Sequence, residues 1–205
     1  MQIDVKDIDC DFYTLSAHKL CGPTGVGVLY GKYELLQKMD PFMLGGGSNA
    51  RFDICGNILL KNPPYKFEAG TPNYVGSYAL SKAIDYMQSI GLDAISIHEH
   101  TLTSYIEESL SKIDQVHIYA AGQQKAGAVS FNVYRADGTL IHPFDIGVLL
   151  DRQGVAVRTG HHCAEPLIDL LGVPGTVRVS VGLYNTKADI DKFIAALNKA
   201  IMMLE

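Results

Sequence analysis

The first part of the chain contains short runs of apolar residues, and from about residue 78 the apolar residues recur with the spacing of a helix. The runs 11–15 and 26–30 are rich in β-branched and aromatic residues and are bounded by turn formers, which predicts two buried strands. Residues 32–39 predict a short helix that stops before a proline. The following stretch, up to residue 73, is rich in glycine and proline, and only "NILL" at 57–60 predicts a short extended arm. So long a stretch without helical periodicity is typical of a functional or interfacial segment.

The rest of the chain alternates between helix-like and strand-like patterns. Leu80, Ala83, Ile84 and Met87 form one apolar stripe of a helix that ends at Gly91. The same patterns predict further helices at 93–113, 143–152, 167–171 and 187–204, the last with a capping-box-like start at Thr186 and Asp189, and strands at 116–120, 127–134, 155–158 and 176–181. The chain therefore reads as an α/β protein, with one domain at 1–91 and a small α+β domain at 92–205.

Composition and charge narrow the classes of function. The 205 residues, 47% of them hydrophobic, suffice for one large domain or two small ones. The net charge is −5 and no run of lysine and arginine occurs, which argues against nucleic acid and anionic membrane as partners. No apolar run has the length of a membrane span, and the N-terminus has no signal-peptide pattern, so we expect a cytoplasmic protein.

Lys19 is the first candidate for chemistry. It lies in "SAHKLCGPTG" (16–25), at the edge of a tight turn between the first two predicted strands. A lysine near buried strands loses solvation, which favours the neutral amine that forms covalent adducts with carbonyl groups. A lone lysine more often pairs with an acid, but Ser16 and His18 alternate with the strand and can face an anion. The glycines follow the lysine, so the segment does not match a nucleotide-binding P-loop.

Cys163 is the second candidate, in the loop "RTGHHCAEP" (158–166). A cysteine on an exposed loop beside histidines has thiolate character, and the thiolate is the nucleophile. Two alternatives remain at this point: an inert cysteine, as we expect for Cys10, Cys21 and Cys55, or a His-Cys metal site. Consecutive side chains rarely converge on one metal ion, so we predict none. The scattered cysteines also predict no disulfide framework.

Two arginines and a turn complete the candidate site. Arg178 lies within the apolar strand "TVRVSV" and needs either an internal acid or a ligand carboxylate as partner, and the sequence leaves both open. Arg158 precedes the cysteine loop. "EAGTPN" (68–73) places Gly70 and Thr71 ahead of a helix, where backbone N–H groups can bind a phosphate.

"SAHKLCGPTGVGVLYG", "EAGTPN", "VRTGHHCAEP" and "VRVSVGLYNT", in this order, resemble the group II (SUF-type) cysteine desulfurases and the selenocysteine lyases. These are fold-type I enzymes that use pyridoxal 5'-phosphate (PLP). The resemblance implies a remnant of the PLP-binding large domain at 1–91, followed by the small domain at 92–205. It also implies a cytoplasmic homodimer that acts on L-cysteine or L-selenocysteine, with a sulfur-acceptor protein collecting the product for iron–sulfur cluster assembly.

The resemblance also implies roles for single residues. Lys19 matches the lysine that binds PLP covalently, and Cys163 matches the nucleophile that holds the transferred sulfur as a persulfide. Arg178 matches the arginine that binds the substrate carboxylate, and Arg158 shapes the cysteine site. The phosphate-binding positions are Ser16, His18, Gly70 and Thr71, the last two acting on the cofactor of the partner subunit.

The resemblance covers only the C-terminal half of such an enzyme. The family's first phosphate loop, the aromatic residue stacked on the cofactor ring and the aspartate paired with the pyridine nitrogen have no counterpart here. We therefore expect this chain to bind PLP weakly and to have little or no activity alone. The alternatives are a selenocysteine lyase, or a non-catalytic sulfur-carrier or dimerisation module.

Overall fold

A computed structural model describes residues 3–205 and divides them into two compact units, with the division between Leu92 and Asp93. Residues 1 and 2 of the predicted first domain lie outside the described residues. No helix in the described part of the chain combines the length and the apolar character needed to cross a membrane.

The first unit contains two antiparallel hairpins and one long helix. Its elements are β1 (Phe12–Ser16), β2 (Gly27–Gly31), α1 (Tyr33–Lys38), β3 (Asn49–Phe52), β4 (Ile58–Leu60) and α2 (Tyr74–Ile90), with 3-10 turns at Ala17–Lys19 and Tyr65–Phe67. β1 pairs with β2, and β3 pairs with β4. The predicted arm at 57–60 is thus one strand of a hairpin, and its partner β3 was not predicted.

The first two strands occur where the sequence predicts them, but the prediction that both are buried is wrong for this chain. Val28 is 47% exposed and Leu29 is 51% exposed. Successive residues of a strand point to opposite faces of its sheet, so both faces of β2 are open.

Helix α2 begins before the predicted start at residue 78. The side chain of Asn73 provides the reason, because its Oδ1 accepts the N–H of Gly76 at 3.0 Å and so caps the helix. The helix ends at Ile90, and Gly91 follows with a φ of 94°, which confirms the predicted stop.

The second unit is a five-stranded antiparallel sheet with helices. Its elements are α3 (Leu92–Leu110), β5 (Val116–Ile118), β6 (Ala128–Tyr134), β7 (Leu140–Ile141), α4 (Pro143–Arg152), β8 (Arg158–Gly160), α5 (Glu165–Leu171), β9 (Thr176–Ser180) and α6 (Lys187–Leu204). The strand order is β5-β6-β9-β8, and β7 pairs with β6.

The core of this unit lies between the central strands and three helices. Phe131 on β6 and Val177 on β9 are fully buried, together with Ile106, Leu150 and Leu197 on α3, α4 and α6. Each such side chain contributes roughly 1.5–3 kcal/mol when it is buried. This packing fixes β9, the strand that carries Arg178.

The predicted strand at 155–158 is displaced toward the C-terminus. β8 begins at Arg158, which lies opposite Arg178, and ends at Gly160, which lies opposite Thr176. Val155 and Val157 pack against the core from outside the strand. The alternation of apolar residues at 155 and 157 reflects this packing against the core. It therefore predicted an extended segment, but it did not predict which residues of that segment pair with β9.

Candidate active site

Lys19 ends the 3-10 turn that connects β1 to the segment before β2. The N–H groups of Leu20 and Gly22 both donate to the carbonyl of Ala17, at 2.8 and 2.9 Å. A Cβ at Gly22 would lie 2.9 Å from that oxygen, so the turn closes only around a glycine. The sharp turn places Lys19 and His18 on the surface, with Ser16 half-buried.

The exposure of Lys19 corrects the expectation that its amine is desolvated in this chain. Within residues 3–205, the amine forms no salt bridge with a carboxylate. Ser16 precedes the 3-10 turn without capping it through its hydroxyl. The amine and the hydroxyl are therefore available to an external group.

The loop that contains Gly70 and Thr71 lies beside this turn within the first unit. Asn73 Nδ2 donates to the carbonyl of Gly25 at 3.4 Å. A Cβ at Gly76 would lie 2.4 Å from Val26 Cγ2, so α2 approaches the segment before β2 very closely. The structure thus brings the start of α2 to the turn that follows Lys19.

The glycine-rich stretch 45–47 supports the same loop. The N–H of Gly70 donates to the carbonyl of Gly46 at 2.8 Å, and Gly70 has a φ of 94°. Gly70 is half-buried and Thr71 is exposed. The predicted phosphate-binding positions therefore all lie in the first unit.

Cys163 lies in the loop between β8 and α5, in the second unit, and is exposed as predicted. Arg158 Nη2 donates to Cys163 Sγ at 3.3 Å. A guanidinium at this distance stabilises negative charge on the sulfur, which is the charge of the nucleophilic thiolate. His162 and Cys163 both adopt left-handed backbone conformations, with φ of 56° and 62°. Such strain in residues other than glycine is concentrated at functional sites.

Two arginines face each other beside this loop. Arg158 lies directly opposite Arg178 in the β8–β9 pair. Like charges in directly opposed positions destabilise a sheet. No carboxylate of the described chain forms a salt bridge with Arg178, and its Nε is buried there without a hydrogen-bond partner. The internal acid, one of the two partners left open by the sequence, is therefore not found in the part of the chain that the structure describes.

His162 connects the loop to β9. Its Nε2 lies 2.8 Å from Thr176 Oγ1 and 3.1 Å from the Thr176 carbonyl oxygen. Burial lowers the pKa of His162, and the nearby guanidinium groups of Arg178 and Arg158 lower it further, against a raising contribution from the Thr176 backbone. The imidazole is therefore held in its neutral form.

Thr176 was not among the site residues predicted from the sequence. The adjacent histidines marked the loop, but the contact with Thr176 depends on the β8–β9 pairing, which no local pattern displays. Across residues 3–205, no three His, Cys, Asp or Glu side chains converge to hold a metal ion.

The chain belongs to the aminotransferase class-V family, whose model matches residues 1–193. Enzymes of this family depend on PLP. The mixed α/β fold matches that of PLP-dependent cysteine desulfurases over about half of their chains.

Three relatives that are named cysteine desulfurase show the extent of the match. A probable cysteine desulfurase of Halobacterium salinarum is 46% identical over 97% of this chain and 46% of the relative. The apo structure of a cysteine desulfurase from Thermococcus onnurineus has a TM-score of 0.92 at 37% identity and covers 100% of this chain and 50% of that one. The structure of the cysteine desulfurase CsdA from Escherichia coli, with an S-sulfonic acid, has a TM-score of 0.90 at 37% identity and covers 98% and 49%. The chain thus spans about half the length of the relatives that it matches.

Proposed function

We propose that this chain is the C-terminal half of a PLP-dependent cysteine desulfurase of the SUF type, which converts L-cysteine to L-alanine. The observation that carries the proposal is the exposed Cys163 thiol beside two opposed arginines, one of them 3.3 Å from Sγ. Desulfuration needs a thiolate nucleophile and a cation for the substrate carboxylate, and the cysteine loop together with β9 offers both. The names of the relatives favour L-cysteine over L-selenocysteine, the substrate of the alternative lyase.

The first unit offers a set of groups that fits PLP. The Lys19 amine would hold the cofactor at its aldehyde, and Ser16 and His18 would hold its phosphate. In a homodimer, Gly70 and Thr71 would reach the phosphate held by the partner subunit. When bound, PLP supplies an electron sink that weakens the bonds at the substrate α-carbon. When it is not bound to the cofactor, the free amine of Lys19 would move a proton as a general base.

The second unit supplies the sulfur chemistry. Arg178 binds the substrate carboxylate through its guanidinium, and Arg158 stabilises the Cys163 thiolate. The thiolate attacks the substrate sulfur, so that an S–S bond forms as the C–S bond breaks and the carbon takes up a proton. Cys163 is left as a persulfide, which a sulfur-acceptor protein collects for iron–sulfur cluster assembly in the cytoplasm.

We expect weak PLP binding and little turnover from this chain alone. The open faces of β2 support this expectation, as does the coverage of about half of each relative. Full desulfurase activity of the purified chain would contradict it.

The test is borohydride reduction of the chain mixed with PLP and with the N-terminal half of the Halobacterium relative, followed by peptide mass mapping. We expect the reduced cofactor on Lys19. Lys19→Ala should lose the label, and Lys61→Ala, a matched change of another exposed lysine in the same unit, should keep it. An unmodified Lys19 in the assembled pair would overturn the proposal.

A further inference from the structure

We propose that Thr176 is a positioning residue for the nucleophile: through His162, it holds the Cys163 loop in register with the strand that carries Arg178. The role of the His162–Thr176 contact in positioning a nucleophile rests on the proposed function. The contact itself is a property of the second unit.

The geometry defines how the contact is made. A carbonyl oxygen can only accept, so the Thr176 carbonyl at 3.1 Å assigns the proton to His162 Nε2. The Thr176 hydroxyl at 2.8 Å reinforces the same nitrogen. His162 Nδ1 is buried and has no partner within residues 3–205, which a bare lone pair tolerates better than an N–H group. The imidazole is thus oriented by Thr176.

Thr176 is itself held in place by the packing around the start of β9. It is 2% exposed and follows Gly175, whose carbonyl accepts from the Nδ2 of the fully buried Asn132 at 3.0 Å. A Cβ at Gly175 would lie 2.9 Å from the Cα of Gly160, so the backbones of the two strands touch at this point. Thr176 therefore has little freedom to move away from the loop.

The position of Thr176 along β9 links the His162–Thr176 contact to Arg178. Thr176 and Arg178 are two residues apart and point to the same face of the strand. The loop leaves β8 at Gly160, opposite Thr176, and returns to Thr176 through His162. One strand thereby fixes both the nucleophile loop and the proposed carboxylate-binding arginine.

The contact also supports the unusual backbone of the loop. His162 and Cys163 are both left-handed, a conformation that persists only when surrounding contacts hold it. Without the contact, we expect these residues to relax and Cys163 Sγ to move away from Arg158. Cys163 is already exposed, so its reactivity depends on this cation more than on access.

Alkylation of the full chain with iodoacetamide at constant pH tests the proposal, with site-resolved rates from peptide mass mapping. In Thr176→Val, a methyl group replaces the hydroxyl at 2.8 Å from the ring nitrogen and displaces the ring. We expect Cys163 to react about fivefold more slowly, which corresponds to the loss of one exposed charged contact at the upper end of its usual strength. Thr176→Ser keeps the hydroxyl and should keep the wild-type rate. Cys21 and Cys55 are exposed in the first unit and serve as internal references.

A second comparison separates positioning from general damage. In an Arg158→Ala background, Thr176→Val should add no further slowing, because the effect passes through the guanidinium. An unchanged or faster rate at Cys163 in Thr176→Val would overturn the proposal. It would also be overturned by equal slowing at all three cysteines, or by a serine variant that behaves like the valine variant. None of these measurements uses PLP. The result for Thr176 is therefore independent of whether Lys19 is labelled in the test of the proposed function.

Discussion

At the scale of single residues, His162 links the stability of the second unit to pH. Burial and the two guanidinium groups lower its pKa below the ordinary value, so the folded chain holds it neutral where the unfolded chain already takes up a proton. The unfolded state then binds more protons, and the free energy of unfolding falls as the pH drops through the ordinary histidine range. The free energy of unfolding continues to fall until the pH reaches the lowered pKa that His162 has in the folded state.

This sign gives a prediction for His162→Gln, which keeps a side-chain N–H donor near Nε2 but does not titrate. Between about pH 7.5 and about pH 5.5, the variant should lose less stability than the wild type in urea unfolding. His161→Gln is the matched control, since His161 is exposed and its nearest carboxylate, on Glu165, is 3.7 Å away. Equal pH dependence of His162→Gln and the wild type would show that His162 contributes nothing to it.

At the scale of elements, the start of α6 gives a prediction about the stability of the second unit. Thr186 Oγ1 accepts the N–H of Asp189 at 3.4 Å, and Asp189 Oδ2 accepts the N–H of Thr186 at 2.8 Å, which confirms the predicted capping box. Thr186→Ala should lower the free energy of unfolding by about 1 kcal/mol, measured in urea by circular dichroism. Thr186→Ser should retain most of the stability that the cap provides. If alanine and serine have the same effect, the cap contributes no stability.

The same scale shows why part of the structure was predictable. The helices α2 and α6 carry an apolar stripe, which is a local property, so the sequence predicted both of them. The strands β3 and β7 and the register of β8 depend on pairing partners elsewhere in the chain, and β7 has only two residues. The sequence therefore did not reveal them.

The candidate site divides in the same way. Residue type and neighbouring motifs were enough to select Lys19, Cys163 and Arg178, whose roles stay predictions. The opposition of the two arginines and the contact between His162 and Thr176 exist only because β8 pairs with β9 in one register. Relations between strands of this kind lie beyond what a single sequence displays.

At the scale of the whole molecule, the first unit exposes apolar side chains on both faces of β2. Val28 and Leu29 lie on opposite faces of β2, a pattern typical of strands buried on both sides, yet each is about half exposed. A two-stranded hairpin is only marginally stable by itself. If the chain is half of an enzyme, as proposed above, we infer that strands from the remaining half complete the sheet of β1 and β2.

Hydrogen exchange tests this inference. In the chain alone, the amides of β2 should exchange rapidly, because a hairpin with both faces open unfolds locally at little cost in free energy. Addition of the N-terminal half of the Halobacterium relative should slow exchange in residues 26–31 by at least about tenfold, since exchange would then need the opening of a covered sheet. Residues 128–134 are the internal control, because β6 already lies between neighbouring strands and its amides should not change. If the two halves co-elute in gel filtration while residues 26–31 keep their exchange rate, they join through a different surface and β2 is not a central strand of the assembled sheet.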